Sequence, residues 1–255
     1  MKQTGERPLK DSTPSALLAL HDAGYREVKQ RLANGFVLDI GCGVGDESIR
    51  LAGPNRTVLG VDYDLETAHL AQHQGVGAVC GDGSILPFKT GSVDAVCSSH
   101  IIEHFVDPSG HVAEMARVVK DDGAVYVLTP NEPADFENPY HVHLFQPEQL
   151  RDMLGTYFAD VVVHGLDGDE TVRQDFAKRR RTGKRILALD FLKLRHRLPR
   201  SWFVALHSLG RRVVYPLLAK INGPSEVIGE DRFAVTSRID ADTLVLFAVA
   251  RSPRR

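Results

Sequence analysis

A doubly wound α/β fold on a mostly parallel sheet is what this 255-residue sequence predicts. Three observations carry that expectation. Short, nearly continuous apolar runs such as Phe36–Ile40, Val93–Ser98 and Ala124–Leu128 suit strands covered on both faces. They alternate with segments of helical period, which implies parallel βαβ units. The first run ends in Asp39 and delivers a loop with glycine at every second position, Gly41, Gly43 and Gly45. Such a loop at the carboxyl end of a strand lets a ligand approach the backbone closely.

The elements follow in order. After a polar start, Pro14–Leu32 reads as a helix with Leu17, Leu20, Val28 and Leu32 on one side, although Gly24 interrupts it. Phe36–Ile40 is the first strand and Asp46–Ala52 the first helix of the core. Thr57–Val61 is a strand ending at Asp62, Leu65–His73 a helix and Gly77–Cys80 a short strand. Val93–Ser98 is the fourth strand. Pro108–Val119 is a helix with Asp107 as candidate N-cap, and Ala124–Leu128 is a strand broken by Thr129-Pro130-Asn131. Pro147–Leu154 is helical, and Ala159–His164 and Thr243–Ala250 are strands. The pattern divides the chain into a helical N-terminal cover (1–35), a core (36–171), a basic amphipathic insertion acting as a lid (172–222) and the last strand or strands of the core (223–255).

Composition narrows the class. Hydrophobic content of 43% and charge of 25% are those of an ordinary soluble domain. The three cysteines, Cys42, Cys80 and Cys97, lack zinc-ligand spacing, and an odd number points to a reducing cytoplasmic setting. The first fifteen residues have no apolar signal core, and no apolar run reaches the roughly 20 residues that span a bilayer. The net charge of −2 conceals an asymmetry: Val172–Asn222 holds fourteen Lys or Arg against Asp175 and Asp190, so it carries +12 and the remainder −14. Two apolar series run through that segment, Leu187, Phe191, Leu194 and Leu198, then Trp202, Leu206, Leu209, Val213 and Leu217. The segment is read as a packed lid, or as a peripheral contact with the inner membrane face.

The glycine spacing separates two cofactor classes. Dinucleotide sites use GxGxxG and hold a pyrophosphate at a helix start. Here the spacing is GxGxG, and Asp39 stands two residues before the first glycine. An acid there repels phosphate and suits an ammonium or sulfonium group.

From Val37 to Leu154 the chain resembles the class I S-adenosylmethionine-dependent methyltransferases, in the broad small-molecule branch called type 11. The runs VLDIGCGVGDES, GVDYD, CGDGSILPF, SVDAVCSSHIIEHFVDP and MARVVKDDGAVYVLTPN carry the resemblance. It implies a Rossmann-like, seven-stranded sheet whose last strand slots in antiparallel, with a helical insertion before that strand. The cofactor it implies is S-adenosyl-L-methionine, with S-adenosyl-L-homocysteine as product. It assigns that cofactor to Asp39, Gly41, Cys42, Gly43, Gly45, Asp62, Tyr63, Asp82, Gly83 and Ser99. Asp62 is expected on the ribose hydroxyls and Asp82 on the adenine amino group, and Gly83 replaces a common alanine. Cys42 is read as a small residue filling the turn, and Arg7 as a cover for the cofactor carboxylate or part of a loose tail.

Relatives with TPN after the fifth strand and an NPYH-type loop often modify sugars, glycolipids or quinone precursors, which implies a small or lipid-linked acceptor methylated at oxygen. A hydroxyl acceptor needs a base, and His suits neutral pH. The candidates are His104 first, then His100, His141 and His143, with Glu103 among them. His100–His104 spells H-I-I-E-H, an inverted zinc-protease string. No third ligand stands at motif spacing, and His100 replaces an acid that some quinone-pathway relatives use for a divalent cation, which puts a magnesium site in doubt; a divalent metal is possible but not expected. Asn138-Pro139-Tyr140 resembles a base-methylating motif but follows the fifth strand, not the fourth, which argues against nucleic acid. The rival readings are a nucleic-acid methyltransferase gripping RNA through the basic insertion, and a module that binds the cofactor without turnover.

Overall fold

The computed structural model describes residues 13–135, 141–188 and 227–255. Arg7, Asn138-Pro139-Tyr140 and the apolar series from Phe191 onward lie outside them. The strands are β1 (Gly35–Ile40), β2 (Arg56–Asp62), β3 (Gly77–Cys80), β4 (Val93–Ser99), β5 (Val119–Pro130), β6 (Phe158–Gly168), β7 (Phe233–Thr236) and β8 (Val245–Pro253). The helices are α1 (Ser15–Arg31), α2 (Ser48–Leu51), α3 (Leu65–His73), α4 (Ser109–Val118), α5 (Pro147–Tyr157) and α6 (Glu170–Ala188). They surround one sheet ordered β3-β2-β1-β4-β5-β8-β6-β7. The first five neighbours run parallel, and β8 lies antiparallel between β5 and β6.

Two expectations change. The sheet has eight described strands, not seven, because Phe233–Thr236 adds an antiparallel edge to β6. Four residues just before the last strand are too short a run to show period-two patterning. The first core helix shrinks to the single turn Ser48–Leu51, since the glycine loop and its following turn extend to Glu47.

Alternation along the central strands builds two cores. Leu38, Ile40, Val96, Val125 and Val127 face α4 and α5, where Met115, Leu150 and Leu154 are buried. Val37, Ala95, Cys97, Tyr126 and Leu128 face α1, where Ala16, Ala19, Leu20, Ala23 and Val28 are buried. Asp39 falls in phase with Val37, so the pleat turns its carboxylate toward α1. The strand order reverses between β1 and β4, and Ile40 pairs with Ser98 there, which puts the ends of both strands at one crevice.

Gly24, the helix interruption, has a packing reason. A Cβ at this position would lie 2.6 Å from Leu128 Cδ2, so glycine lets α1 sit close on β5. Propensity alone favours most residues over glycine by about 1 kcal/mol. Overpacking outweighs it: Gly24→Val is expected to lower the unfolding free energy by roughly 1–3 kcal/mol in urea titration. A gain in stability would refute the close-packing account.

Candidate active site

The glycine loop connects β1 to α2 with three left-handed residues, Gly41 (φ 77°), Gly43 (φ 55°) and Gly45 (φ 88°). A Cβ on Gly41 would fall 2.0 Å from Ile101 Cδ1, in the turn that follows β4. The amides of Gly41 and Cys42 both donate to the Val61 carbonyl, at 2.7 and 3.1 Å, which pins the loop to β2. Gly43 N–H donates to Asp62 Oδ2 at 3.1 Å, and Asp64 N–H donates to Oδ1 at 3.0 Å. Asp62 is thereby oriented at the end of β2 beside the loop, with the exposed Tyr63 next to it.

Two residues of the expected cofactor set turn inward. Asp39 is fully buried; Tyr25 Oη donates to its two oxygens at 3.3 and 3.2 Å, and Ser48 Oγ donates to Oδ2. Burial pushes its carboxyl up to about 7, against hydrogen bonds from Ser48, Cys97 and Tyr25 that favour the charged form. Asp39 therefore ties the glycine loop to α1 and α2 and does not line the opening. Cys42 is buried with Ala68, Ala71 and Ala78, and a Cβ on Gly60 would lie 2.5 Å from its sulfur. The thiol fills a small core behind the loop, as its size suggested.

After β3, Asp82 Oδ1 accepts from the amide and hydroxyl of Ser84 at 2.8 and 2.7 Å. These bonds, the amide's first, hold the exposed Asp82 below the usual carboxylate range. A Cβ on Gly83 would lie 3.0 Å from Ile40 Cγ2 and 3.3 Å from His111 Nδ1, so an alanine there would crowd both neighbours.

His111 is the residue the sequence reading missed. It is fully buried in α4, with Nδ1 2.8 Å from the Gly83 carbonyl and Nε2 2.9 Å from Ser98 Oγ. The carbonyl only accepts, so Nδ1 carries the proton and the neutral ring accepts from Ser98 at Nε2. Burial lowers its pKa, which keeps it neutral. Phe105 stacks on it at 4.8 Å. The available signal was a histidine in helical phase with Met115, both on the buried side of α4. Nearby, Ser99 Oγ is buried at the end of β4 with no hydrogen-bond partner among the described residues.

The turn after β4 gathers the candidate catalytic residues. His100 adopts φ 56°, its amide donates to the Leu128 carbonyl at 2.8 Å, and its ring lies 4.3 Å from that of His21. The left-handed residue breaks the H-I-I-E-H string away from helical geometry, so His100 and His104 do not share a face as an inverted zinc-protease helix requires. Glu103 is fully buried; Oε2 accepts from Thr129 Oγ1 at 3.1 Å, and Oε1 stands 3.4 Å from His100 Nδ1. Burial opposes its charge, but the rings of His100, His141 and His104 outweigh that and hold its carboxyl below the usual range.

The Glu103 carbonyl accepts from the amides of Val142 and His143 at 2.9 and 3.1 Å. This docks the second histidine segment on the first. His141 then faces His104, with ring centroids 5.4 Å apart, and its Nδ1 lies 3.0 Å from Asp135 Oδ2. His143 sits instead against Phe145 at 4.5 Å. The structure brings His100, Glu103, His104 and His141 together and gives His143 separate surroundings.

The basic run is partly neutralised by the protein itself. Arg173 pairs with Asp167 and Asp240, Arg179 with Asp175, and Arg180 with Asp242. Among the described residues no helix is long and apolar enough to cross a membrane.

A mostly parallel sheet with β8 slotted in antiparallel, and a glycine loop at its switch point, is the Rossmann-like arrangement found in class I S-adenosylmethionine-dependent methyltransferases. Residues 38–127 match the family model described as "Methyltransferase domain", and relatives and solved structures named as S-adenosylmethionine-dependent methyltransferases support that class. A relative in Mycolicibacterium smegmatis, named "Probable S-adenosylmethionine-dependent methyltransferase", is 32% identical over 162 residues, 60% of this chain and 63% of that protein. The chain thus spans less than two thirds of that curated relative's length. A "Demethylmenaquinone methyltransferase" of Corynebacterium kroppenstedtii is 33% identical over 97 residues, 38% of this chain and 42% of that protein. The crystal structure of a SAM-dependent methyltransferase from Thermotoga maritima shares the fold at a TM-score of 0.57 and 18% identity, over 92% of each chain.

Two outcomes follow from this geometry. His111→Phe keeps the stack on Phe105 but removes the bonds to Gly83 and Ser98. It is expected to weaken S-adenosylmethionine binding about tenfold, or ~1.4 kcal/mol, in calorimetry; unchanged affinity would show that the Gly83 loop needs no such support. Asp39 has a folded pKa near 7, above the unfolded value of about 3.9. The folded state therefore binds more protons between those values, and this contribution to stability is full below the unfolded pKa and lost as pH rises through about 7. Asp39→Asn is expected to flatten the fall in Tm between about pH 4 and 7, the window those two values span. Parallel Tm curves for the two proteins would contradict the buried, proton-binding Asp39.

Proposed function

We propose that the chain transfers a methyl group from S-adenosylmethionine to a hydroxyl of a small or lipid-linked acceptor, a sugar, glycolipid or quinone-like ring. The observation that carries this reading is the abutment of two sites. Ile101, between His100 and Ile102, packs against Gly41 so closely that a side chain there could not fit. The cofactor loop and the histidine turn are therefore neighbours across the crevice. The cofactor, when bound, supplies a sulfonium methyl group with a neutral thioether as leaving group. The protein's part is to hold an acceptor in line with it and to take a proton from it.

The cofactor residues are Gly41, Gly43, Gly45, Asp62, Tyr63, Asp82, Gly83 and Ser99, with Asp39 and Cys42 supporting the loop from behind. Ser99 supports this reading directly: its buried, unpartnered hydroxyl offers a polar contact to a ligand. His104 is the proposed base, set beside Glu103 and His141, with His100 oriented by His21 and Glu103. The match to a demethylmenaquinone methyltransferase supports a quinone-like acceptor, and the TPN and NPYH segments support a sugar. The pairing of Arg173, Arg179 and Arg180 with acids supports a lid at 172–222 in preference to an RNA grip. A cytoplasmic location with peripheral membrane contact suits a lipid-linked acceptor.

Radiolabel transfer from methyl-labelled cofactor into fractionated cell extract tests the acceptor class. Label in lipid or small metabolites is expected, and label confined to RNA would overturn the assignment. His104→Ala is expected to keep cofactor affinity while turnover falls at least about tenfold, within the range general bases contribute. Full turnover in that variant would remove His104 from the chemistry.

A further inference from the structure

The geometry points to a divalent metal site of two imidazoles and one carboxylate, formed by Glu103, His104 and His141. It deepens the acceptor-pocket reading above and rests on it for its purpose, though not for its existence. The candidate ligand atoms of these three residues all lie within 4.8 Å of one another. Drawing each inward by less than about 1 Å would bring them to bonds of about 2.1 Å. Three local features prepare the cluster. Glu103 Oε1 is buried and makes no geometric hydrogen bond among the described residues, with His100 Nδ1 3.4 Å away, while Oε2 is anchored by Thr129. A buried carboxylate oxygen left so is costly unless something charged meets it. Asp135 Oδ2 accepts a hydrogen bond from His141 Nδ1–H, which leaves the lone pair of the neutral ring on Nε2. A carboxylate behind an imidazole is the usual outer support of a ligating histidine. The Glu103 carbonyl clamps the amides of Val142 and His143, so the ligand from the later loop is tied to the turn that carries the other two.

The donor set chooses the ion. Magnesium takes oxygen ligands and keeps its waters, whereas two imidazoles with a carboxylate suit zinc and its borderline neighbours. Three protein ligands leave at least one position open, as in catalytic sites. A bound ion of this class acidifies a hydroxyl ligand and holds it in place. His104 would then serve as a ligand, and the hydroxyl acidified by the ion would lose its proton to solvent water, so that no side-chain base is required.

The test uses the untagged full chain, stripped with chelator and dialysed. Zinc is titrated by calorimetry and cobalt(II) by its visible absorption, which reports nitrogen and oxygen ligation. One saturable ion per chain is expected, with affinity falling at least tenfold in His141→Ala and in Asp135→Asn. Because Glu103 is fully buried and its replacement could misfold, these two positions carry the test, with Tm confirming that each variant is folded. Absence of saturable zinc or cobalt binding, or binding that His141→Ala leaves unchanged, overturns the site. S-adenosylmethionine affinity is measured alongside and is expected to stay unchanged in both variants. Loss of metal binding with cofactor binding intact defeats only the metal site, whereas failure of the wild-type chain to bind the cofactor defeats the methyltransferase reading.

Discussion

The close approach of Ile101 to Gly41 is the constraint on which the rest of this site depends. It requires a residue without a side chain in a left-handed conformation at the end of β1, and it joins the loop for the methyl donor to the turn that carries His100, Glu103 and His104. A methyl transfer needs donor and acceptor within near-attack distance. The nearness of the glycine loop to the histidine turn, on which the proposed transfer relies, is set by the Ile101 side chain packing on Gly41. The paired ends of β1 and β4 supply the platform, since Ile40 and Ser98 lie opposite each other in a parallel ladder.

Buried polar groups stabilise this platform from three sides. Asp39 joins α1, α2 and the glycine loop through Tyr25 and Ser48. His111 joins α4 to the Gly83 loop and to β4. Glu103 joins the β4 turn to Thr129 on β5 and, through its carbonyl, to the 141–143 segment. Each group would be costly alone in an apolar interior and is retained with partners that use its hydrogen-bonding capacity. Among the described residues four buried side-chain atoms depart from that rule, Arg56 Nε, Asn131 Oδ1, Glu103 Oε1 and Ser99 Oγ, and the last two belong to β4 and the turn that follows it. Unsatisfied groups gathered at one place mark where a ligand completes the structure.

The strong charge separation of the sequence has a local outlet. Arg173 and Arg180 of α6 meet Asp167, Asp240 and Asp242, so part of the +12 segment is answered by acids outside it, while Arg179 pairs with Asp175 of the same helix. Partly exposed pairs of this kind contribute little stability each. Their effect is to orient α6 against the β6–β8 end of the sheet, beyond the β5 edge of the crevice.

What the sequence determined by itself is everything that local chemistry specifies. The alternation of apolar runs and helical periods defined the parallel core, and the glycines with Asp62 and Asp82 marked the crevice, because turns and strand ends demand particular residues at short spacing. Tertiary structure decided what depends on partners distant in the chain. Asp39 reads as a ligand-facing acid until the pleat turns it to Tyr25. His111 reads as an ordinary helical residue until α4 lays it against Gly83. Phe233–Thr236 becomes a strand only because β6 offers an edge. Glu103 and His141 stand 38 positions apart and meet only when the amides of Val142 and His143 find the Glu103 carbonyl. A backbone hydrogen bond leaves no trace in side-chain identity, so no pattern of residues could have announced that meeting.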